Sequence, residues 1–518
     1  MRRYLTFLSV LFLTLAPLWA QGKLDGLEYK VELQAGLADG KTPLWLNANK
    51  YGLSSLEESN GYARAALIRR LGNDTLRRWG VGYGVDVAVP YHYTSKLVVH
   101  QAFAELRWLS GVLTVGAKEY PMELKNNELS SGSQTLGINA RPVPQVRLAL
   151  PEYYTLPFWG GWFHLKGHVA YGKMTDQNWQ HDFTQRKSKY ADNVLYHSKA
   201  GYLKIGNEER FLPWSLELGL EMAAEFGGTS HRFTSGKEEV LHGNTGLSAY
   251  WHAFVPGGGE VGETVYQNVE GNQLGSWLAR INYEGDIWKF GLYVDKYFED
   301  HSSLLMVDYD GYGEGSEWNV KKRHRYLIYD IKDMMLGLEV SSKYNRWLQS
   351  MVFEYLYTKY QSGPIYHDHN PGLSDHIGGV DNFYSHYIYT GWQHWGQVIG
   401  NPLYRSPIYN EDSNIEIYNN RFTAFHLGLS GNPTDNLHYR FMATYQDGLG
   451  SYAFPYKKHQ HNVSLLLETA YRFTNPSLQG WAVKGAFGMD FGHILGDNMG
   501  FQLTITKTGL LTKHGGEK

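Results

Sequence analysis

The sequence predicts an all-β chain that crosses an outer membrane as a closed antiparallel barrel of about eighteen strands, with a plug-like segment inside or beneath it. Three observations predict it: apolar and polar residues alternate with period two, the N-terminus has an export signature, and short connections alternate with long ones. The alternation is clearest over 214–226. There Trp214, Leu216, Leu218, Leu220 and Met222 share one face, and Ser215, Glu217, Gly219 and Glu221 the other. Faces of this kind recur to the C-terminus, too many and too aromatic for one sandwich core. Lipid covering the outer face of a closed ring removes that difficulty.

Composition fits. The 518 residues are 42% hydrophobic and 15% aromatic, with 58 glycines, 39 tyrosines, 16 tryptophans and no cysteine. A mean hydropathy of -0.42 excludes a bundle of membrane helices but suits strands that are apolar on one face only. A formal charge of -3 gives no nucleic-acid footprint, and without cysteine there is neither a disulfide nor thiol chemistry.

At the N-terminus, Arg2 and Arg3 precede an apolar run from Leu5 to Leu18, with Ala20 and Gln21 at the cleavage point. The run is shorter than the ~20 residues of a spanning helix. Residues 1–20 therefore read as a signal peptide and 21–518 as one outer-membrane barrel domain. The expected strands are 26–38, 43–50, 62–71, 78–90, 98–108, 111–119, 160–172, 197–206, 214–226, 274–284, 286–300, 334–345, 348–361, 420–431, 436–448, 460–473, 480–495 and 498–508. From the seventh onward, long connections such as 173–196, 227–273, 301–333 and 362–419 alternate with short ones. Outer-membrane barrels have short periplasmic turns and long outward loops, so the N-terminus is placed in the periplasm. Segment 120–159 breaks this rule. It is long yet falls on the periplasmic side, where it would lie under the barrel or fold inward as a plug.

That segment holds Leu129 to Ser133 (Leu-Ser-Ser-Gly-Ser), Asn139 to Pro144 (Asn-Ala-Arg-Pro-Val-Pro) and further prolines at 151 and 157. Such prolines exclude a continuous helix or a central strand, and Pro142 biases Arg141 towards extended backbone. Two readings stand. Asn139, Arg141, Pro142 and Pro144 form a rigid plug motif in which Arg141 pairs with a wall carboxylate, or Arg141 and Asn139 grip an acidic ligand. Loop 362–419 offers Asp381, Asn382, Tyr384, His386, Trp392 and Trp395. Sugars stack on aromatic faces while carboxylates, amides and imidazoles meet their hydroxyls, so these six are the candidate polysaccharide contacts. The alternative is an ordered loop whose aromatics pack on one another. His367, His369, His376, His386 and His394 match no zinc spacing, so no metal or other cofactor is assigned. No serine-nucleophile elbow, zinc-protease helix or phosphate-cradling loop occurs, so no catalytic residues are named.

With these motifs in view, the chain resembles the capsule-assembly Wzi family, particularly its branch in Bacteroidetes-like bacteria. The matching stretches are Trp45 to Gly52 (Trp-Leu-Asn-Ala-Asn-Lys-Tyr-Gly), Leu129 to Ser133 with Asn139 to Pro142, Gly379 to Tyr384, and Gly391–Trp392 with Ile399 to Leu403. They span most of the mature chain in the expected order. The resemblance implies a barrel of about eighteen strands acting as a surface lectin that helps attach or organise capsular polysaccharide. It places Asn139, Arg141, Asp381, Asn382, Tyr384 and Trp392 at signature positions. The expected partners are capsular or surface polysaccharide, outer-membrane lipid and the barrel-assembly machinery. The rival functions are a transport channel and a barrel-borne hydrolase. One departure is that the chain runs past Phe501 to Lys518, where many such barrels end on an aromatic residue.

Overall fold

The computed structural model of the chain describes residues 26–74, 78–210, 212–234, 236–258, 270–299, 307–308, 311–322, 326–327, 332–361, 365–366, 370–372, 376–377 and 381–511. The expected signal peptide lies outside the described residues. Eighteen antiparallel strands form one closed sheet. They are β1 (Leu27–Asp39), β2 (Ser59–Arg69), β3 (Trp79–Tyr91), β4 (Val98–Trp108), β5 (Gly111–Ala117), β6 (Gln145–Thr155), β7 (Phe163–Lys173), β8 (Leu195–Ile205) and β9 (Trp214–Phe226). The second half comprises β10 (Asn272–Glu284), β11 (Trp288–Glu299), β12 (Met334–Ser342), β13 (Ser350–Tyr357), β14 (Phe422–Gly431), β15 (Leu437–Gly450), β16 (Pro455–Arg472), β17 (Trp481–Gly492) and β18 (Asn498–Leu511). Each strand pairs with its sequence neighbours. β1 closes on β18 from Leu27 opposite Leu511 to Asp39 opposite Met499, so no edge is left unpaired.

The period-two pattern sorts as the sequence predicts. On β9, Trp214 and Leu218 are exposed to the outside, whereas Glu221 and Glu225 point inward and are buried. Leu33, Val85, Leu148, Leu292, Phe353, Leu467 and Phe501 repeat the outward exposure on other strands. Each such side chain gains ~1.5–3 kcal/mol on leaving water, so hydrocarbon must cover the band.

Seventeen of the expected strands are present, and the eighteenth is a different segment. Residues 43–50 form no strand. Leu44–Asn47 make one helical turn, α1, buried inside the barrel. In its place stands β6, which carries Pro151 and is flanked by Pro142, Pro144 and Pro157, residues that argue against a central strand. Pro151 falls where the β6–β7 register shifts, between Leu150 and Tyr154, so the ladder lapses at the residue that has no N–H to give.

Exchanging these two segments moves everything between them to the opposite end. Segment 118–144 therefore leaves from the long-loop end, and its expected periplasmic placement is corrected. One end now carries the turns 70–78, 109–110, 156–162, 206–213, 285–287, 343–349, 432–436 and 473–480. The other carries every long connection: 40–58, 118–144, 174–194, 227–271, 300–333 and 358–421. By the rule for outer-membrane barrels, the long-loop end faces outward.

Candidate functional site

Three long connections turn back into the barrel: 40–58, 118–144 and the part of 358–421 from 381 onward. A buried cluster joins Trp45 and Leu46 to Ala140 and Val143 and to Tyr384, Trp392, Ile399, Leu403 and Tyr404, against wall residues Tyr293, Met335 and Leu466. These segments have few ladder partners for their backbone, so the wall supplies acceptors. Asp490 accepts from the Leu44 N–H at 3.0 Å, and Asp295 from the Gln134 N–H at 3.0 Å. Glu299 accepts from the Tyr384 N–H at 2.7 Å. Glu354 takes three donors: the Ser131 N–H at 2.8 Å and the Ser130 and Tyr293 hydroxyls at 2.5 Å. A buried carboxylate is costly unless so satisfied, and here its remaining capacity pins the plug.

All four stretches that carry the family resemblance contribute to this body, with Gly379 and Val380 lying outside the described residues. The Asn139 Oδ1 accepts from the Asn49 N–H at 3.0 Å, and its Nδ2 donates to the Val398 carbonyl at 2.9 Å. Asn401 donates to Ser131 Oγ and to the Gly132 carbonyl, each at 3.1 Å. The Trp392 indole N–H reaches the Thr135 carbonyl at 2.9 Å, and the Tyr384 and Tyr404 rings stack at 4.0 Å. Gly132 and Gly137 allow this closeness, since a Cβ on either would lie within 3 Å of Pro402 or the Ile399 carbonyl.

The expected site residues divide accordingly. Arg141 does not pair with a wall carboxylate. Its guanidinium lies 4.0 Å over the Trp395 ring and donates to Thr94 Oγ1 at 2.9 Å. Burial lowers its pKa to about 10, so it stays charged at neutral pH. Pro142 and Pro144 lead from the plug into β6. Tyr384 and Trp392 are fully buried and Trp395 nearly so. This corrects the expectation of an exposed stacking platform in these rings: a lumen this wide needs bulk, and the longest loop brings it. Asp381, Asn382 and His386 are half-buried. Asn382 accepts from Asn420 Nδ2 at 2.6 Å, and His386 Nδ1 accepts from the Ile388 N–H at 3.1 Å. Burial, with Lys189 nearby, pushes the His386 imidazole down to about 3 and keeps it neutral.

What faces outward was not singled out from the sequence. Between the 451–454 and 493–497 turns and the plug lies an open recess of about 460 Å³, lined by Arg405, Tyr418, Phe454, Tyr456 and His493. Tyr418 and Phe454 meet edge to face at 4.8 Å, and the Tyr418 hydroxyl donates to Asp412 at 2.5 Å. Arg405 is held by Asn410 Oδ1 at 2.7 Å and the Tyr409 carbonyl at 2.9 Å, while its buried Nε meets no acceptor among the described residues. Ring faces, a fixed guanidinium and an imidazole meet in one recess, to which the expected loop 362–419 supplies Arg405 and Tyr418. The available signal was the aromatic turn Tyr452-Ala-Phe454-Pro-Tyr456. A second recess, about 350 Å³, opens at the short-turn end beside Lys204, Glu217, Arg280, Asn282 and Glu339. Among the described residues no group of side chains could hold a metal ion.

No family model matches the chain, and no curated protein does. Among solved structures it is similar to Wzi of Escherichia coli, described as an outer-membrane protein involved in group 1 capsule assembly and a carbohydrate-binding β-barrel. The TM-score is 0.54 at 11% identity, over 94% of this chain and 85% of that one. OprD of Pseudomonas aeruginosa matches with a TM-score of 0.44 at 9% identity, over 94% and 96%. OccAB4 of Acinetobacter baumannii gives 0.42 at 11%, over 94% and 98%. The first likeness shows the fold, that of an outer-membrane barrel.

Proposed function

We propose that this protein is a plugged outer-membrane barrel that binds surface polysaccharide with its long-loop face. One observation carries the reading: the lumen is packed with three segments pinned to wall carboxylates, which leaves the outer rim as the working surface. The recess of Arg405, Tyr418, Phe454, Tyr456 and His493 is the proposed contact for sugar rings. The carbohydrate binding described for the similar barrel supports the choice of ligand. Exposed sugars exchange water hydrogen bonds for protein ones with little net gain, so a single repeat binds weakly. A polymer of repeats offsets this by avidity when many copies of the barrel share one membrane.

The test is a pull-down of purified protein on immobilised capsular polysaccharide from the same cells. Tyr418→Ala with Phe454→Ala should reduce retention about tenfold, a loss of ~1.4 kcal/mol, with the folded barrel intact on an unheated gel. Trp392→Ala should act differently. It removes a fully buried ring and costs ~3–5 kcal/mol of stability, seen as earlier thermal unfolding. Undiminished retention by the double variant would remove the recess from the account.

A further inference from the structure

The outward face of β13–β17 changes character abruptly near the long-loop end. Strand register puts Tyr355, Phe425, Tyr445, Val463 and Phe491 side by side in one row across the five strands. Phe425, Tyr445 and Phe491 are each more than 40% exposed, as an aromatic girdle at a membrane boundary would be. Two residues further out, about 7 Å along the strand, the next row reads Tyr357, Thr423, Asp447 and His461. Beyond it lie Lys359, Arg421, His459 and Lys457.

These groups converge. Asp447 receives Lys359 Nζ at 2.6 Å and His459 Nδ1 at 3.0 Å, with His461 Nδ1 at 3.4 Å. The Tyr445 hydroxyl and His461 Nδ1 lie 2.9 Å apart. Arg421 donates to the Lys359 carbonyl at 3.0 Å and lies 3.5 Å over the Tyr452 ring. Lys457, His459 and His461 are exposed. Lys359 and two imidazoles thus meet one carboxylate, with Arg421 on the Lys359 carbonyl and Lys457 next along the same strand face, a net positive patch set just above an apolar belt.

We propose that this patch holds the phosphate groups of a phosphorylated glycolipid in the outer leaflet. Height and direction favour lipid over a polysaccharide. Lys457, His459 and His461 follow Val463 on the outer face of β16, and Lys359 and Arg421 lie just past the ends of β13 and β14, so the anions they meet are those at the top of the hydrocarbon that covers the belt. Phosphate oxygens accept charge-assisted bonds from lysine, arginine and imidazole, and the girdle rings pack against the first carbons of the acyl chains. The proposal does not depend on the glycan recess, whose residues it does not share.

The experiment is native mass spectrometry of the full-length protein in detergent, with diphosphorylated lipid A or its dephosphorylated counterpart added. The wild type should retain the phosphorylated lipid and hold the dephosphorylated one about tenfold less. Lys457→Gln with His461→Gln should lower retention to the dephosphorylated level. Lys458→Gln, on the same strand but the opposite face, should leave it unchanged. Correct folding of each variant is read from its unheated gel mobility. Retention that ignores either the phosphates or the paired variant overturns the proposal. So does binding of inorganic phosphate alone as tight as that of the lipid, which would make the patch a free-anion site. Loss of soluble acidic polysaccharide binding with lipid retention intact also overturns it, in favour of a glycan site.

Discussion

At the scale of single residues, the plug is held by side chains whose partners come from distant parts of the chain. Asn139, Arg141, Tyr384 and Trp392 stood out in the chain, and each proves to be a plug contact. Arg141 was expected on a carboxylate because charge pairing is the commonest fate of a buried guanidinium. A tryptophan face and a threonine hydroxyl take that place, and no spacing rule brings Trp395 to it across the lumen. His394 gives this scale its prediction. Its Nδ1 and the Arg141 carbonyl lie 2.8 Å apart, and its Nε2 is 3.1 Å from the Thr175 N–H, so the neutral ring donates at one nitrogen and accepts at the other. Burial lowers its pKa to about 4, from 6.5. The unfolded chain therefore binds more protons between those values, and stability falls as pH drops from 6.5 towards 4. Thermal midpoints measured in detergent should decline across that window, and His394→Gln should flatten the decline. An equal slope in both proteins would take His394 out of the acid response.

At the scale of elements, period two was enough for strands that face lipid on one side and plug or water on the other. It failed in both directions where that contrast is lost. Residues 43–50 alternate, yet Leu44–Asn47 are buried on every side. β6 carries a proline and still pairs on both edges, because Pro151 sits at an irregularity. Whether a long loop spreads over the rim or folds into the lumen is a matter of volume, and volume is invisible in a linear pattern. The wall does record it. Gly488 on β17 pairs with Gly500 on β18, and a Cβ on either would lie within 3 Å of Leu46 or Pro43, so the two glycines make the hollow that α1 fills. Gly488→Val should expel α1 while leaving the ladder closed. Limited proteolysis should then cut within 40–58 faster than in the wild type, with unheated gel mobility unchanged. Equal cutting rates would mean that α1 is not held by that hollow.

For the whole molecule, the closed ring was legible because its requirements are collective: many half-apolar strands, alternating short and long connections, and no apolar helix. Strand number survived because one segment wrongly included balanced one wrongly left out, and the cost fell on the plug, which was put at the wrong end. The outer face was the least legible part, since its recess joins turns that are far apart in sequence. The central claim is that the barrel displays a surface and does not conduct. Planar-bilayer recording of the purified protein tests it most directly. The wild type should give no steady conductance step, whereas Glu354→Ala, which strips acceptors from Ser130, Ser131 and Tyr293, should open frequent ones. A large, steady conductance in the unaltered protein would contradict the account.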